Sequence, residues 1–280
     1  MTQFLKLLDW IDINKIDWWY LSINPGAIHL LEQNPNKINW FNLSQNPSAI
    51  HLLEKNPYNI NWCNLSENPG AIHLLEQNPD KINWDMLSRN PKAIHLLEQN
   101  PDKIYWKWLS YNQGAIHLLE QNPDKIYWPG LSCNPGAIHI LEQNIEKIDL
   151  YWLSENPGAI HLISEALEQN LDKIDWEMLS VNPGAIHLIN KVLEKNPDKI
   201  DWEMLSGNPG AIHLLEKNPD KIDWEMLSVN PAIFTYDYDK LRAHCLIFKE
   251  DIMKKRFHPR NIPKFRDWGI DGFEDYEEDD

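Results

Sequence analysis

Cysteine is scarce. The 280 residues include three, Cys63, Cys133 and Cys245, far apart and in no CxxC pair. That argues against a disulfide framework or a thiolate metal site and points to reduced thiols in the cell interior. Cationic side chains are also few, with 26 Lys and Arg against 42 Asp and Glu, a formal net charge of −16. The deficit argues against nucleic acid as a partner, because phosphate contacts need clustered Lys and Arg. No apolar run approaches the ~18 residues of a membrane span. The opening "MTQFLKLLDWIDINKIDWW" lacks the basic region and apolar core of a secretion signal. The expectation is an intracellular, soluble protein with no membrane partner.

What the chain has in excess is repetition. The histidine of "AIH" falls at 29, 51, 73, 95, 117, 139, 161, 187 and 213, so six intervals are 22 residues and two are 26. A further copy, "LSVNPAIF", starts at Leu227, read here as losing its glycine and placing Phe234 at the histidine position. Constant length is what stacked units require, since each must dock on the one before.

Each unit reads as two short helices. In "NPGAIHLLEQN", Asn is a good N-cap and Pro suits the first helical position, where its missing N–H does no harm. In the copy around His95, Ala93, Ile94, Leu96 and Leu97 share one helical face, whereas His95 and Gln99 point away. The other helix holds "WxxLS", as in Trp84 to Ser88. It starts either at Pro79 or, after a turn, at Trp84 with Asn83 as cap. The 26-residue copies, "HLISEALEQN" and "HLINKVLEKN", add four residues, about one helical turn, and keep Ile163, Ala166 and Leu167 on the apolar face. A leucine-rich horseshoe fits poorly, because its frame puts Gln77 at a leucine position and a proline recurs inside it. One unit alone is too small to offset the entropy of ordering its backbone, whereas stacked units share a core. The expected fold is therefore all-α: an α-solenoid of about ten helix-pair repeats, a rod or arc with a helical C-terminal cap. Residues 1–17 read as an N-terminal capping segment, 18–234 as the array, 235–272 as a C-terminal capping segment and 273–280 as an acidic disordered tail.

The columns of identical residues argue against chemistry. Equivalent histidines on successive rungs, nearly 10 Å apart, cannot share a metal ion whose ligands lie ~2 Å from it. Hydrogen bonding at the seam between neighbouring helices suits them better. The serines two residues before Asn-Pro suit local backbone bonding near a helix end. Catalysis needs one asymmetric constellation, so no catalytic, cofactor-binding or metal site is expected. In the tail, His244 and Cys245 are adjacent, and Cys245, among Leu241 and Leu246, reads as a core cysteine. Basic residues from Lys254 to Arg266 are interleaved with Phe257, Phe265 and Trp268, a minor nucleic-acid signal, whereas Ile262, Phe265 and Trp268 follow the helical spacing of a docked cap.

Information lies where the copies disagree. Tyr105, Lys107, Trp108, Tyr111 and Tyr127 crowd the central copies, with Gln113 in place of proline and Pro129-Gly130 expected to shorten or bend a helix. Aromatic side chains anchor interfaces, so these five residues form a candidate protein-binding patch.

The phrase "NPGAIHLLEQNPDKINW", its 22-residue period and the closing "EDIMKKRFHPRNIPKFRDWG" resemble helical repeat proteins encoded in many copies by giant DNA viruses. The resemblance covers nearly the whole chain and implies a viral product in the host cytoplasm or the virion, with no catalytic residues to carry over. The expected function is a non-enzymatic interaction scaffold for a host or viral protein. The alternative is a self-assembling structural or virion-associated component.

Overall fold

The computed structural model describes residues 4–169 and 174–256. It shows the all-α repeat array. Ten short helices begin at Trp18, Trp40, Trp62, Trp84, Trp106, Trp128, Leu150, Trp176, Trp202 and Trp224, and these Trp helices number the rungs 1 to 10. Each of the first nine is followed by a His helix, such as Ile94–Gln99. The start of the Trp helix is settled in favour of the shorter version. Pro79–Lys81 is a 3-10 turn, and the Asn83 side chain accepts the Met86 N–H at 3.0 Å to cap Trp84–Leu87. Asn24 caps the Pro25–Ala27 turn that leads into the first His helix, accepting from Gly26 N at 2.9 Å. The face read from the sequence holds, with Ala93 and Leu97 fully buried and His95 and Gln99 exposed. Both enlarged copies lengthen the His helix to ten residues, Ile160–Gln169 and Ile186–Lys195. The extra turn leaves Ile163 and Ile189 fully buried. Pro129 does not shorten its helix, Trp128–Ser132. It sits in the first turn, where no intrahelical N–H bond is lost.

Rungs are joined by buried polar side chains as well as by the leucine core. Asn46 Nδ2 donates to Ser22 O at 3.0 Å and Asn24 O at 2.9 Å of the preceding rung, while its Oδ1 accepts Ser48 N at 3.0 Å. Ser22 Oγ donates to Trp18 O at 2.8 Å, the local bond expected of it, and also accepts Asn39 N of the next rung at 2.9 Å. The serine and asparagine columns are essentially solvent-free. Such groups are tolerable only when fully bonded. Lysines add a third link, as where Lys103 Nζ stands 4.3 Å from the Trp84 ring centroid.

The same links join rung 10 to rung 1. Asn24 Nδ2 donates to Ser228 O and Asn230 O, both at 3.0 Å, and Asp17 N donates to Ser228 Oγ at 2.9 Å. Lys15 stands over Trp224 at 5.0 Å. Rung 10 has no His helix. Its second half is supplied by the start of the chain: strand β1 (Leu5–Leu7) pairs with β2 (Phe234–Tyr236), and Leu8 N donates to Ile233 O at 2.9 Å. The open rod or arc expected from the sequence is thus a closed ring. Several neighbouring Trp helices lie in close contact, as Trp202–Gly207 does with both Trp176–Val181 and Trp224–Val229, whereas neighbouring His helices make few close approaches. The rungs are therefore wedges, and ten of them, averaging about 36° apiece, complete the circle.

Closure also corrects the register of the last copy. Ala232 N bonds Asn230 Oδ1 at 2.9 Å, as Gly210 N bonds Asn208 Oδ1. Ala232 therefore holds the glycine position, and nothing is deleted. Phe234 occupies the isoleucine column rather than the histidine column: it lies against Gly26 as Ile50 lies against Gly70.

Residues 2–235 form one compact unit, and residues 236–256 belong to a second, whose main element is the helix Tyr238–Arg256. Cys245 is exposed on that helix and is not a core residue. Its neighbour Leu246 is exposed too, so the adjacent apolar residue that suggested a core is no sign of one. The readings of the basic, aromatic stretch from Phe257 and of the acidic end 273–280 lie outside the described residues. No described helix is long and apolar enough to cross a membrane.

Candidate functional site

The side of the ring on which rungs converge carries the Trp helices, and it is also where the copies differ. The residue after each Trp runs from Trp19 and Phe41 through Asp85, Lys107 and Tyr151 to Glu177, Glu203 and Glu225. The outward columns, by contrast, are monotonous. Six histidines, from His51 to His161, each reach the glutamate of the preceding rung at 2.8–2.9 Å. This is the seam role expected of them. Both partners are about half exposed, so each pair contributes only ~0–1 kcal/mol. At the enlarged rungs the residue three beyond histidine is Ser164 or Asn190 instead of glutamate, and the ladder ends there. Among the described residues no group of three His, Cys, Asp or Glu converges as metal ligands would. A groove of about 430 Å³ beside Trp106 and Lys125 is lined by consensus positions, so it belongs to the packing pattern and singles out no rung.

All five residues of the candidate patch come together. Ring centroids of Tyr105 and Trp108 are 6.4 Å apart, those of Trp108 and Tyr111 5.5 Å, and those of Tyr111 and Tyr127 6.4 Å. Lys107 Nζ lies 5.1 Å from the Tyr127 centroid and 5.9 Å from that of Trp108. Sequence reasoning missed two contributors, Arg89 and Trp152, and the packing role of Gly130. The Arg89 guanidinium stacks 4.9 Å over Trp108 and 5.7 Å from Tyr111, and is held by Glu67 at 3.2 Å. Trp152 meets Tyr111 edge-on at 6.1 Å, two rungs away. Gly130 makes that reach feasible, because a Cβ there would stand 2.6 Å from the Tyr111 ring. Arg89 was detectable in principle, as the only cation in the column that follows the serines.

The cluster has a structural cost. Tyr105 and Tyr127 stand where other rungs have a capping Asn or Asp, and neither makes a side-chain cap bond. Losing such a cap costs about 0.5–2 kcal/mol. Beneath the rings, burial pushes the Tyr111 hydroxyl up to about 12, with Cys133 and Tyr127 adding to the effect and Arg89 opposing it. Burial, then Glu155, likewise raises the Cys133 thiol to about 12. A thiol so protonated is a poor nucleophile. Alkylation of the folded protein at about pH 8 should therefore label the exposed Cys63 and Cys245 and spare Cys133 until denaturant is added. Mass spectrometry counting three rapid adducts on the native protein would contradict this burial.

Compared with protein-family models, curated proteins and solved structures, the chain finds no significant match in any of the three.

Proposed function

We propose that the protein is a non-enzymatic ring scaffold that binds another protein through the strip formed by Tyr105, Lys107, Trp108, Tyr111 and Tyr127, together with Arg89 and Trp152. The observation that carries this reading is the sacrifice of two adjacent helix caps for tyrosines that join one aromatic cluster, on the face where the repeats otherwise vary. Natural chains give up stability at sites retained for function. Tyr105 is 42% exposed, and aromatic and Arg side chains are the residues that dominate binding energy. The resemblance of the repeat to giant-virus proteins supports an infected cell as the setting and a host or viral protein as the partner. The closed ring counts against end-to-end self-assembly, because rung 10 already bonds to rung 1 within the same chain.

The test separates binding from stability. The triple variant Tyr105→Ala, Trp108→Ala, Tyr111→Ala should lose a partner captured by the wild type from infected cells and shown to bind when purified. Tyr105→Asn, which restores a cap, should melt higher, by the equivalent of about 0.5–2 kcal/mol, and bind less well. A triple variant that binds normally would refute the strip as the docking surface.

A further inference from the structure

The cluster around Arg89 shows how this face holds a cation: a carboxylate of one rung (Glu67) fixes the guanidinium while aromatic rings of another (Trp108, Tyr111) cover it. The same combination of carboxylates and rings recurs twice more on the ring, and among the described residues no arginine or lysine forms an ion pair there. At rungs 7 and 8, the exposed Tyr151 packs edge-on against Trp152 at 5.2 Å and lies in the field of Asp175 and Glu177. At rungs 10 and 1, Trp19 packs edge-on against Tyr20 at 4.7 Å, and Tyr20, whose hydroxyl donates to the Glu225 carboxylate, also lies in the field of Asp17 and Asp223. Glu203 stands exposed at the same position between them. Trp19 is 47% exposed and Tyr151 42%.

Lys199, Lys221 and Lys15 are drawn over Trp176, Trp202 and Trp224. Among the described residues, no Lys, Arg or His forms an ion pair with Glu177, Glu203 or Glu225. The whole chain's charge of −16 adds a long-range attraction for cations.

We infer that the arc from Tyr151 through Glu177, Glu203 and Glu225 to Trp19 binds an extended, arginine-rich segment of a partner protein. Its guanidinium groups would pair with the carboxylates and stack on the rings at either end. Arginine fits better than lysine, because its planar, weakly hydrated fork both stacks on aromatic faces and pairs with carboxylates. The inference rests on the reading of the Trp-helix face as the recognition surface. Apart from Trp152, which touches both Tyr111 and Tyr151, it uses different residues from the strip, so the two can fail independently.

The probe is a fluorescently labelled peptide of alternating Arg and Gly, compared with its Lys-Gly counterpart by anisotropy on the full-length protein at physiological salt. The Arg peptide should bind several-fold more tightly than the Lys peptide. Affinity should fall at least tenfold in Glu177→Gln, Glu203→Gln, Glu225→Gln, and severalfold in Trp19→Leu, Tyr151→Leu. An Asp80→Asn, Asp102→Asn, Asp124→Asn control, which removes equal charge from the 3-10 turns, should bind as the wild type does. Equal losses in control and arc variants, no effect of the aromatic changes, or no Arg preference would each overturn the inference. The strip variant Tyr105→Ala, Trp108→Ala, Tyr111→Ala should leave peptide binding intact, which separates this site from the strip.

Discussion

Deleting residues 1–17 should open the ring and remove most of its stability. The segment contributes Phe4, Ile11 and Ile16, all no more than 9% exposed. At roughly 1.5–3 kcal/mol per buried large side chain, their loss amounts to about 5–9 kcal/mol. The whole stability of a domain is on the order of 5–15 kcal/mol. The deletion also takes away Leu8 N from Ile233 O, Asp17 N from Ser228 Oγ and Lys15 from the face of Trp224. The melting temperature should drop by at least ~10 °C, given about 2–4 °C per kcal/mol for a domain of this size. The opened faces remain complementary, because Asn24 still carries the donors that Ser228 O and Asn230 O accept. If a truncated chain misses its own far end, another copy can serve, so concentration-dependent head-to-tail species should appear in light scattering. Adding residues 1–17 as a separate peptide should restore the monomer. A truncated protein that stays monomeric and melts like the parent would show that this segment does not close the ring.

The repeat itself was legible because its signals are local. Pro after Asn, the apolar face of "AIHLLE" and a four-residue insertion each constrain one or two turns of helix, and each has its counterpart in Asn24, in Ala93 with Leu97, and in the ten-residue helix Ile186–Lys195. Closure was not legible, since it depends on the small wedge angle between rungs, which accumulates over ten of them and leaves no mark in any one copy. Clues existed at the ends: "DINKIDW" at 12–18 is the second half of a repeat without its first, and "WEMLSVNP" at 224–231 is a first half without its second. Reading the first as a separate cap and the second as a degenerate last copy kept apart what the fold joins. The aromatic cluster was readable where identity departed from the consensus, at Tyr105 and Tyr127. Trp152 was hidden because it comes from two rungs away, through the space that Gly130 leaves. The serine and asparagine columns were half read. Their bonds within a rung follow from sequence spacing, whereas their bonds across rungs need the stacking geometry.

Those cross-rung bonds make Asn112→Ala the point substitution expected to do the most damage. Asn112 is 1% exposed. Its Nδ2 donates to Ser88 O at 2.9 Å and Asn90 O at 3.0 Å, and its Oδ1 accepts Gly114 N at 2.9 Å. Alanine would remove all three bonds and leave Ser88 O and Asn90 O in buried residues, while the exposed Gly114 loses its cap. At about 1–3 kcal/mol for each group so stranded, and with Asn90 O still bonded by Ala93 N, the net loss should be about 3–5 kcal/mol. Asn100 provides the internal comparison. Its Nδ2 donates to Leu96 O at 2.9 Å within its own rung, at a half-buried position, so Asn100→Ala should cost only ~1 kcal/mol, a single ordinary hydrogen bond. Asn112→Asp preserves the shape and the cap acceptor but turns an oxygen toward two carbonyls and buries a charge, so at neutral pH it should be at least as harmful as alanine. Urea denaturation of the three variants decides the matter. If Asn112→Ala proves no worse than Asn100→Ala, the leucine core alone holds the rungs together, and the polar ladder merely accompanies it.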